Sequence, residues 1–283
     1  MQWYRTAYQV AREIDDRQVL AWALDNVSNI LGDLGDFRRA LAYKESVLRI
    51  VLEINDTWTA CLTLANFGWI FKGLRYCRQA EAVYRQAVEL GRKLDIPSYL
   101  SSIATDLATL LLEQRQINEA EALYGEAQDL ASRVEGQRLA GEDVRFDLAI
   151  LGIRLRCAQG RLTQREAVIE LEQMLSERHM PEQQAALHFE AWRIDPSLES
   201  HRAQAAEQYR TLGLDVPLHL YRQRYRELTG ESLPEPPPLP DLPDISIPDH
   251  FDVESLAAHL KAVAANLVST LTSPVFQRDI MHT

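Results

Sequence analysis

The chain has 283 residues, of which 46% are hydrophobic and 25% are charged, a balance that is ordinary for a soluble globular protein. Its formal net charge of −11 argues against binding to nucleic acid, because that affinity comes largely from Lys and Arg side chains that displace counterions. No run of about 18 apolar residues occurs, and charges stand near the start, where a secretory signal would be apolar. We therefore expect a cytoplasmic protein that does not interact with membranes.

The first half of the chain repeats every forty residues. The stretch RQAEAVYRQAVEL at 78–90 returns as NEAEALYGEAQDL at 118–130 with six of thirteen positions unchanged. The same interval reaches Ala40 and, near the start, Tyr4 and Ala7. The sequence therefore predicts that the chain opens with half a repeat, which is either a cap or the end of a longer polypeptide with an effector domain.

A second helical stretch precedes each repeated one, so each unit is a pair of a leading and a trailing helix. Gly35 suits the left-handed position that ends a helix, and Pro97 suits a first helical turn. One face of every leading helix is apolar: Leu24, Val27 and Leu31, then Leu64, Phe67 and Phe71, then Ala104, Leu107 and Leu111. Single pairs cannot bury such a face, whereas a stack of pairs can.

These residues resemble the tetratricopeptide repeat (TPR), in which a small residue is followed by an aromatic residue and a second small one. The matching positions are Ala80, Tyr84 and Ala87, then Ala120, Tyr124 and Ala127, whereas Lys44 and Val47 depart from the pattern. A period of forty resembles the long-helix variety of kinesin light chains and bacterial signalling regulators. The resemblance implies an all-α fold, a right-handed α-solenoid of antiparallel helix pairs.

Beyond residue 133 the period slips, because Ala167 follows Ala120 by 47 residues. Degraded pairs and a last helix, with Leu220, Tyr221, Tyr225 and Leu228 on its inner side, extend the predicted repeat domain to 1–230. Prolines then predict an extended acidic linker over 231–250. The predicted third region, 251–283, contains an amphipathic helix with Leu256, Leu260, Val263 and Leu267 on one stripe, followed by a tail.

No sequence motif of an enzyme is present. The chain lacks a phosphate-binding glycine loop, a nucleophile elbow and the H-E-x-x-H pattern of zinc proteases. His179 and His188 flank Pro181 without zinc-ligand spacing, and the three separate cysteines Cys61, Cys77 and Cys157 fit reduced core thiols. We therefore expect no catalytic residues, no metal and no cofactor.

The resemblance to TPR proteins implies that the leading helices line a concave face that binds a partner. Carried over to this chain, the partner-binding groove comprises Trp22, Asp25, Asn26, Asn29 and Asp33, then Leu62, Ala65, Asn66, Trp69 and Lys72, then Ser102, Thr105, Asp106, Thr109 and Glu113. Asn26, Asn66 and Asp106 form one column, where an amide can bind peptide backbone. The alternative is that the column joins neighbouring helices and that Trp69 is a packing residue.

The resulting functional expectation is a non-catalytic scaffold that binds a peptide or helix of another protein. Because Asp and Glu outnumber Lys and Arg on the groove, a neutral or basic partner fits better than a carboxylate terminus. The alternative is a regulatory or sensor module of a larger signalling protein, such as an ATPase or a transcription regulator. In that case the C-terminal helix would fold back into the groove to inhibit binding, or would mediate homo-oligomerisation.

Overall fold

A computed structural model describes residues 2–133, 141–236, 239 and 245–272 of the chain. These residues form α-helices and contain no strand, which confirms the all-α prediction. The helices are α1 (Gln2–Glu13), α2 (Arg17–Asp33), α3 (Phe37–Glu53), α4 (Thr57–Gly73), α5 (Cys77–Leu94), α6 (Pro97–Glu113), α7 (Ile117–Arg133), α8 (Gly141–Ala158), α9 (Gln164–Glu177), α10 (Pro181–Ile194), α11 (Glu199–Asp215), α12 (His219–Thr229) and α13 (Val253–Leu271).

The chain divides into two compact units. The first contains residues 1–32, 36–144 and 239–283, and the second contains 33–35 and 145–238. The predicted boundaries of the repeat domain, linker and C-terminal region stay predictions. Much of the Pro-rich linker, 237–238 and 240–244, and the tail at 273–283 lie outside the described residues.

The turns between α1 and α7 recur at a fixed interval. Helices α2 to α7 begin at residues 17, 37, 57, 77, 97 and 117, so that each start follows the previous one by twenty residues. A residue with positive φ stands in every turn: Asp15, Gly35, Asn55, Arg75, Asp95 and Arg115. After α2, the amide of Asp36 donates to the carbonyl of Leu31 over 2.8 Å, the long hydrogen bond of a Schellman motif. Gly35 therefore ends the helix as predicted.

Two aspartates and the predicted Pro97 mark helix starts in the first unit. Asp36 and Asp56 are the N-caps of α3 and α4, and each carboxylate accepts a hydrogen bond from the third backbone N–H that follows. Pro97 is the first residue of α6, where its missing N–H costs nothing.

The predicted apolar faces form the core of the first unit. The nine apolar positions of α2, α4 and α6 are each at most 2% exposed, and Ala80, Ala120 and Tyr84 are also buried. One hydrogen bond repeats after forty residues, since the Cys61 thiol donates to the carbonyl of Ala87 and the Ser101 hydroxyl donates to that of Ala127. The repeat therefore preserves contacts between helices as well as their lengths.

Ion pairs join the surfaces of the trailing helices α5 and α7. Arg85 pairs with Glu119 over 2.6 Å, and Arg92 pairs with Glu126 over 2.5 Å. Both pairs are partly exposed, so each contributes only about 0–1 kcal/mol.

The second unit has its own core. Phe189 of α10, Tyr209 of α11 and Tyr225 and Leu228 of α12 are buried against one another. Leu220 is 51% exposed, so the prediction that it lies on the inner side of α12 is wrong. It lies in the first turn of the helix, before the buried positions begin.

The C-terminal helix α13 packs on α5, with a smaller contact to α4. Leu256, Leu260 and Val263 are buried as the amphipathic pattern predicts. Gln79 of α5 donates a hydrogen bond to Glu254, and the Arg38 guanidinium of α3 donates to the carbonyl of Pro248 over 2.6 Å. These polar contacts lie on trailing helices, whereas the predicted groove lies on leading helices.

The cysteines differ from the prediction of three core thiols. All three are free, but only Cys61 is buried, where desolvation raises the pKa of its thiol to about 12. Cys157 is half-buried, and Cys77 is exposed because it is the first residue of α5 and precedes the helix's buried positions.

Candidate functional site

A fully buried lysine lies beneath the predicted partner-binding residues. Lys44 extends from the trailing helix α3, and its Nζ is 2.6 Å from Oδ1 of Asp25 and 2.8 Å from Oδ1 of Asn29. Asn29 donates to the second Asp25 oxygen over 3.1 Å, and the Asn66 amide donates to Asn29 over 3.4 Å. Three of the predicted groove residues are therefore bound to one another across α2, α3 and α4.

The energetics of this network follow from its burial. Desolvation lowers the pKa of Lys44, and the adjacent Asp25 carboxylate opposes that shift by stabilising the charged ammonium. A buried ammonium without such partners would destabilise the fold by several kcal/mol. Asp25 and Asn29 therefore serve to stabilise the charge of Lys44. Of the predicted column, Asn66 takes part in this tie between helices, whereas the Asn26 side chain bonds within its own helix.

Sequence reasoning missed Lys44 as a member of this site. It was noted only as a departure from the aromatic position that Tyr84 and Tyr124 occupy in the next two pairs. The available signal was that Asp25 and Asn29, one turn apart on the neighbouring helix, could both reach a charge at that position.

Trp69 is also held by packing within the first unit. Its ring lies edge-on to Phe37 at a centroid distance of 6.3 Å, and a Cβ placed on Gly32 would overlap its six-membered ring. Trp69 is half-buried, so only part of the ring is open to a partner.

Other predicted residues of α2 and α4 remain accessible. Trp22 is 55% exposed, although its ring contacts Tyr4 edge-on at 5.5 Å between centroids. Asn26 is half-buried and donates a hydrogen bond to the Trp22 carbonyl of its own helix, and Leu62 is half-buried. Asp33, at the end of α2, is exposed and is grouped with the second unit.

The predicted groove residues of α6 differ in how accessible they are to a partner. Thr105 is 4% exposed and its hydroxyl donates to the Ser101 carbonyl, so it is not available to a partner. Asp106 is exposed and Thr109 is half-buried. Glu113, also exposed, lies 3.8 Å from Nζ of Lys72 on α4, which pairs two predicted residues across neighbouring leading helices.

The Asp106 carboxylate is reached by solvent, yet protein atoms crowd it. Desolvation raises its pKa to about 6, and the positive charge of Lys72 acts in the opposite direction. Burial raises the pKa of the Tyr84 hydroxyl well above its usual value, and the nearby Asp106 charge adds to this shift. Asp106 takes part in no hydrogen bond or ion pair within the described part of the chain.

Two buried histidines form a separate cluster in the second unit. Nδ1 of His188 is 2.8 Å from Nδ1 of His201, and Nε2 of His201 is 3.3 Å from a Glu172 carboxylate oxygen. This cluster joins α9, α10 and α11. Across residues 2–133, 141–236 and 245–272, His, Cys, Asp and Glu form no group of three suited to a metal ion.

Comparisons with known proteins support the fold. No protein-family model matches the sequence, and no curated protein matches it. One similar solved structure is titled "Crystal structure of BtubC (BKLC) from P. vanneervenii", a bacterial kinesin light chain-like TPR protein. It aligns with a TM-score of 0.54 and 15% identity over 86% of this chain and 96% of that one. The chain therefore has a TPR-like helical-repeat fold.

None of the described helices combines the length and apolar content needed to cross a lipid bilayer.

Proposed function

We propose that the protein is a non-catalytic interaction scaffold whose leading helices bind a segment of another protein. The accessible stripe is defined as Trp22, Asn26, Leu62, Ser102, Asp106 and Thr109. The observation that carries the proposal is that these accessible or half-buried residues combine an exposed tryptophan with amide, hydroxyl and carboxylate groups. Exposed aromatic side chains with nearby polar groups are typical of sites that anchor protein partners.

The partner is a peptide or helix that is neutral or basic. An extended peptide presents backbone groups that the Asn26 side chain can bind, and an amphipathic helix presents an apolar stripe to Trp22 and Leu62. The net charge of −11 disfavours an acidic partner. Nucleic acid and membrane surfaces are disfavoured for the same reason, because both are usually negative.

A second function is supported by the position of α13. Because α13 packs on α5 of its own chain, it covers a surface that another helix could otherwise occupy. We propose that this makes the protein the regulatory module of a larger signalling assembly, in which α13 masks the trailing helices or exchanges between copies. The covered surface differs from the accessible stripe, so the two functions are separable.

The first function is tested by selecting a random 12-residue peptide library against the intact chain. Peptides that bind should protect backbone amides of α2, α4 and α6 from hydrogen exchange more than those of α3, α5 and α7. Trp22→Ala should weaken their binding by at least tenfold, as expected for a central aromatic anchor. Arg49→Ala, at an exposed position of α3, is the matched control and should leave binding unchanged.

Protection confined to the trailing helices would contradict the proposal, as would selection of the same peptides by the Trp22→Ala variant.

The second function is tested by deleting residues 231–283. Unchanged affinity for a partner of the trailing helices would exclude masking, and an unchanged oligomeric state would exclude exchange between copies.

A further inference from the structure

The acidic residues among the predicted groove residues differ in how much of their charge is compensated. Asp25 is bound by the Lys44 ammonium, and Glu113 lies within 4 Å of the Lys72 ammonium. Asp33 belongs to the second unit. Asp106 is the carboxylate of α6 that is exposed and has no ion pair among the described residues.

Two hydroxyl groups lie on the same face of α6 as this carboxylate. Ser102 precedes Asp106 by four residues and Thr109 follows it by three, spacings that place all three side chains beside one another on a helix. Both hydroxyl residues are half-buried, and neither side chain makes a hydrogen bond to another described residue. A carboxylate with a hydroxyl acceptor on either side matches the several N–H donors of an ammonium or guanidinium group.

We propose that Asp106, Ser102 and Thr109 receive a Lys or Arg side chain of the bound partner. The inference rests on the proposed binding of a protein segment by the leading helices and specifies one residue of that segment. The neighbouring charges permit it, because Lys72 on α4 is already paired with Glu113 and the Tyr84 hydroxyl on α5 is neutral. Asn66 on α4, which belongs to the same predicted column as Asp106, is uncharged.

The electrostatic environment gives the site a pH dependence. Desolvation raises the pKa of Asp106 to about 6, so the carboxylate is mostly ionised at pH 7.5 and mostly protonated at pH 5.0. If only the ionised form binds a cation, affinity should fall about tenfold between those two pH values.

The test uses the same random 12-residue peptide library and the intact chain. Selected peptides should contain a Lys or Arg at a constant position relative to their apolar residues. For one synthetic peptide without His, Asp or Glu, replacing that residue by Gln should weaken binding about five- to tenfold. With the Asp106→Asn variant the same replacement should have no effect, and the pH dependence should disappear.

Asp129→Asn, at an exposed position of the trailing helix α7, is the matched control and should behave as the unmodified chain. Circular dichroism verifies that both variants keep their helices. Peptides that bind the leading helices without a basic residue, or that lose equal affinity with both variants, would overturn this inference and leave the proposed function intact. Absence of any peptide bound to the leading helices would overturn both.

Discussion

Acidification should destabilise the second unit through His188. This side chain is 5% exposed, and its burial, together with the charge that His201 can carry, lowers its pKa from 6.5 to about 4. Between those values the unfolded chain binds more protons than the folded chain, so the free energy of unfolding falls as the pH falls. The loss should be about 2 kcal/mol between pH 7.5 and 5.0 and should approach about 3 kcal/mol near pH 4.

The measurement is urea unfolding of the intact chain at pH 7.5 and 5.0. Trp192 is the one tryptophan in residues 145–236, so the NMR signal of its indole N–H, assigned with Trp192→Phe, reports on the second unit. The matched variants are His188→Gln, which removes the titrating group, and His179→Gln, which removes an exposed histidine.

The change in stability between the two pH values, rather than stability at either one, is the quantity to compare. His188→Gln should reduce that change by about 2 kcal/mol, because glutamine cannot take up a proton in this pH range. His179→Gln should leave it as in the unmodified chain. An equal pH dependence in the unmodified chain and the His188→Gln variant would refute the reasoning.

Three further predictions concern the packing of the first unit, two of them measured by urea unfolding and one by hydrogen exchange. Lys44→Met should destabilise it by about 2–3 kcal/mol because Asp25 loses its partner, and Lys44→Tyr combined with Asp25→Asn should recover most of that loss; no recovery would contradict the assigned role. Gly68→Ala should cost about 1–3 kcal/mol because its Cβ would lie 2.9 Å from the buried Tyr84 ring. Gly125→Ala on α7, where the added Cβ would meet no atom of another helix within 4 Å, should instead stabilise the first unit by about 0.5–1 kcal/mol. Equal effects of the two alanines would contradict this reasoning. Leu260→Asp should release α13, seen as faster hydrogen exchange throughout 253–271, whereas Lys261→Asp at an exposed position should not.

The fold could be predicted from the sequence because its signals are local and repeated. The apolar positions of α2, α4 and α6 specify one buried face per helix, and Gly35 and Pro97 mark a helix end and a helix start by their own backbone chemistry. Arg75 and Arg115 occupy the same left-handed position as Gly35, which residue type alone does not indicate.

The candidate site was predicted less completely, because its side chains interact across helices. Helical spacing placed Asp25 and Asn29 on one face but did not show that Lys44 binds both. The same spacing placed Thr105 beside Asp106, although a rotation of about 100° per residue turns Thr105 towards the core. Pairing of His188 with His201 depends on how α10 and α11 pack, which the twelve residues between them do not specify.

The positive-φ turns at intervals of twenty residues have a consequence for engineering. The connectors that contain Gly35, Asn55 and Arg75 have three residues each, with the positive-φ residue in the middle, whereas the connector after α5 has only two residues, of which Asp95 has positive φ. Leading and trailing helices therefore differ mainly in their side chains. Whole forty-residue segments, cut at equivalent turns such as Gly35 and Arg75, should be transferable as cassettes to lengthen or shorten the array without redesigning a loop.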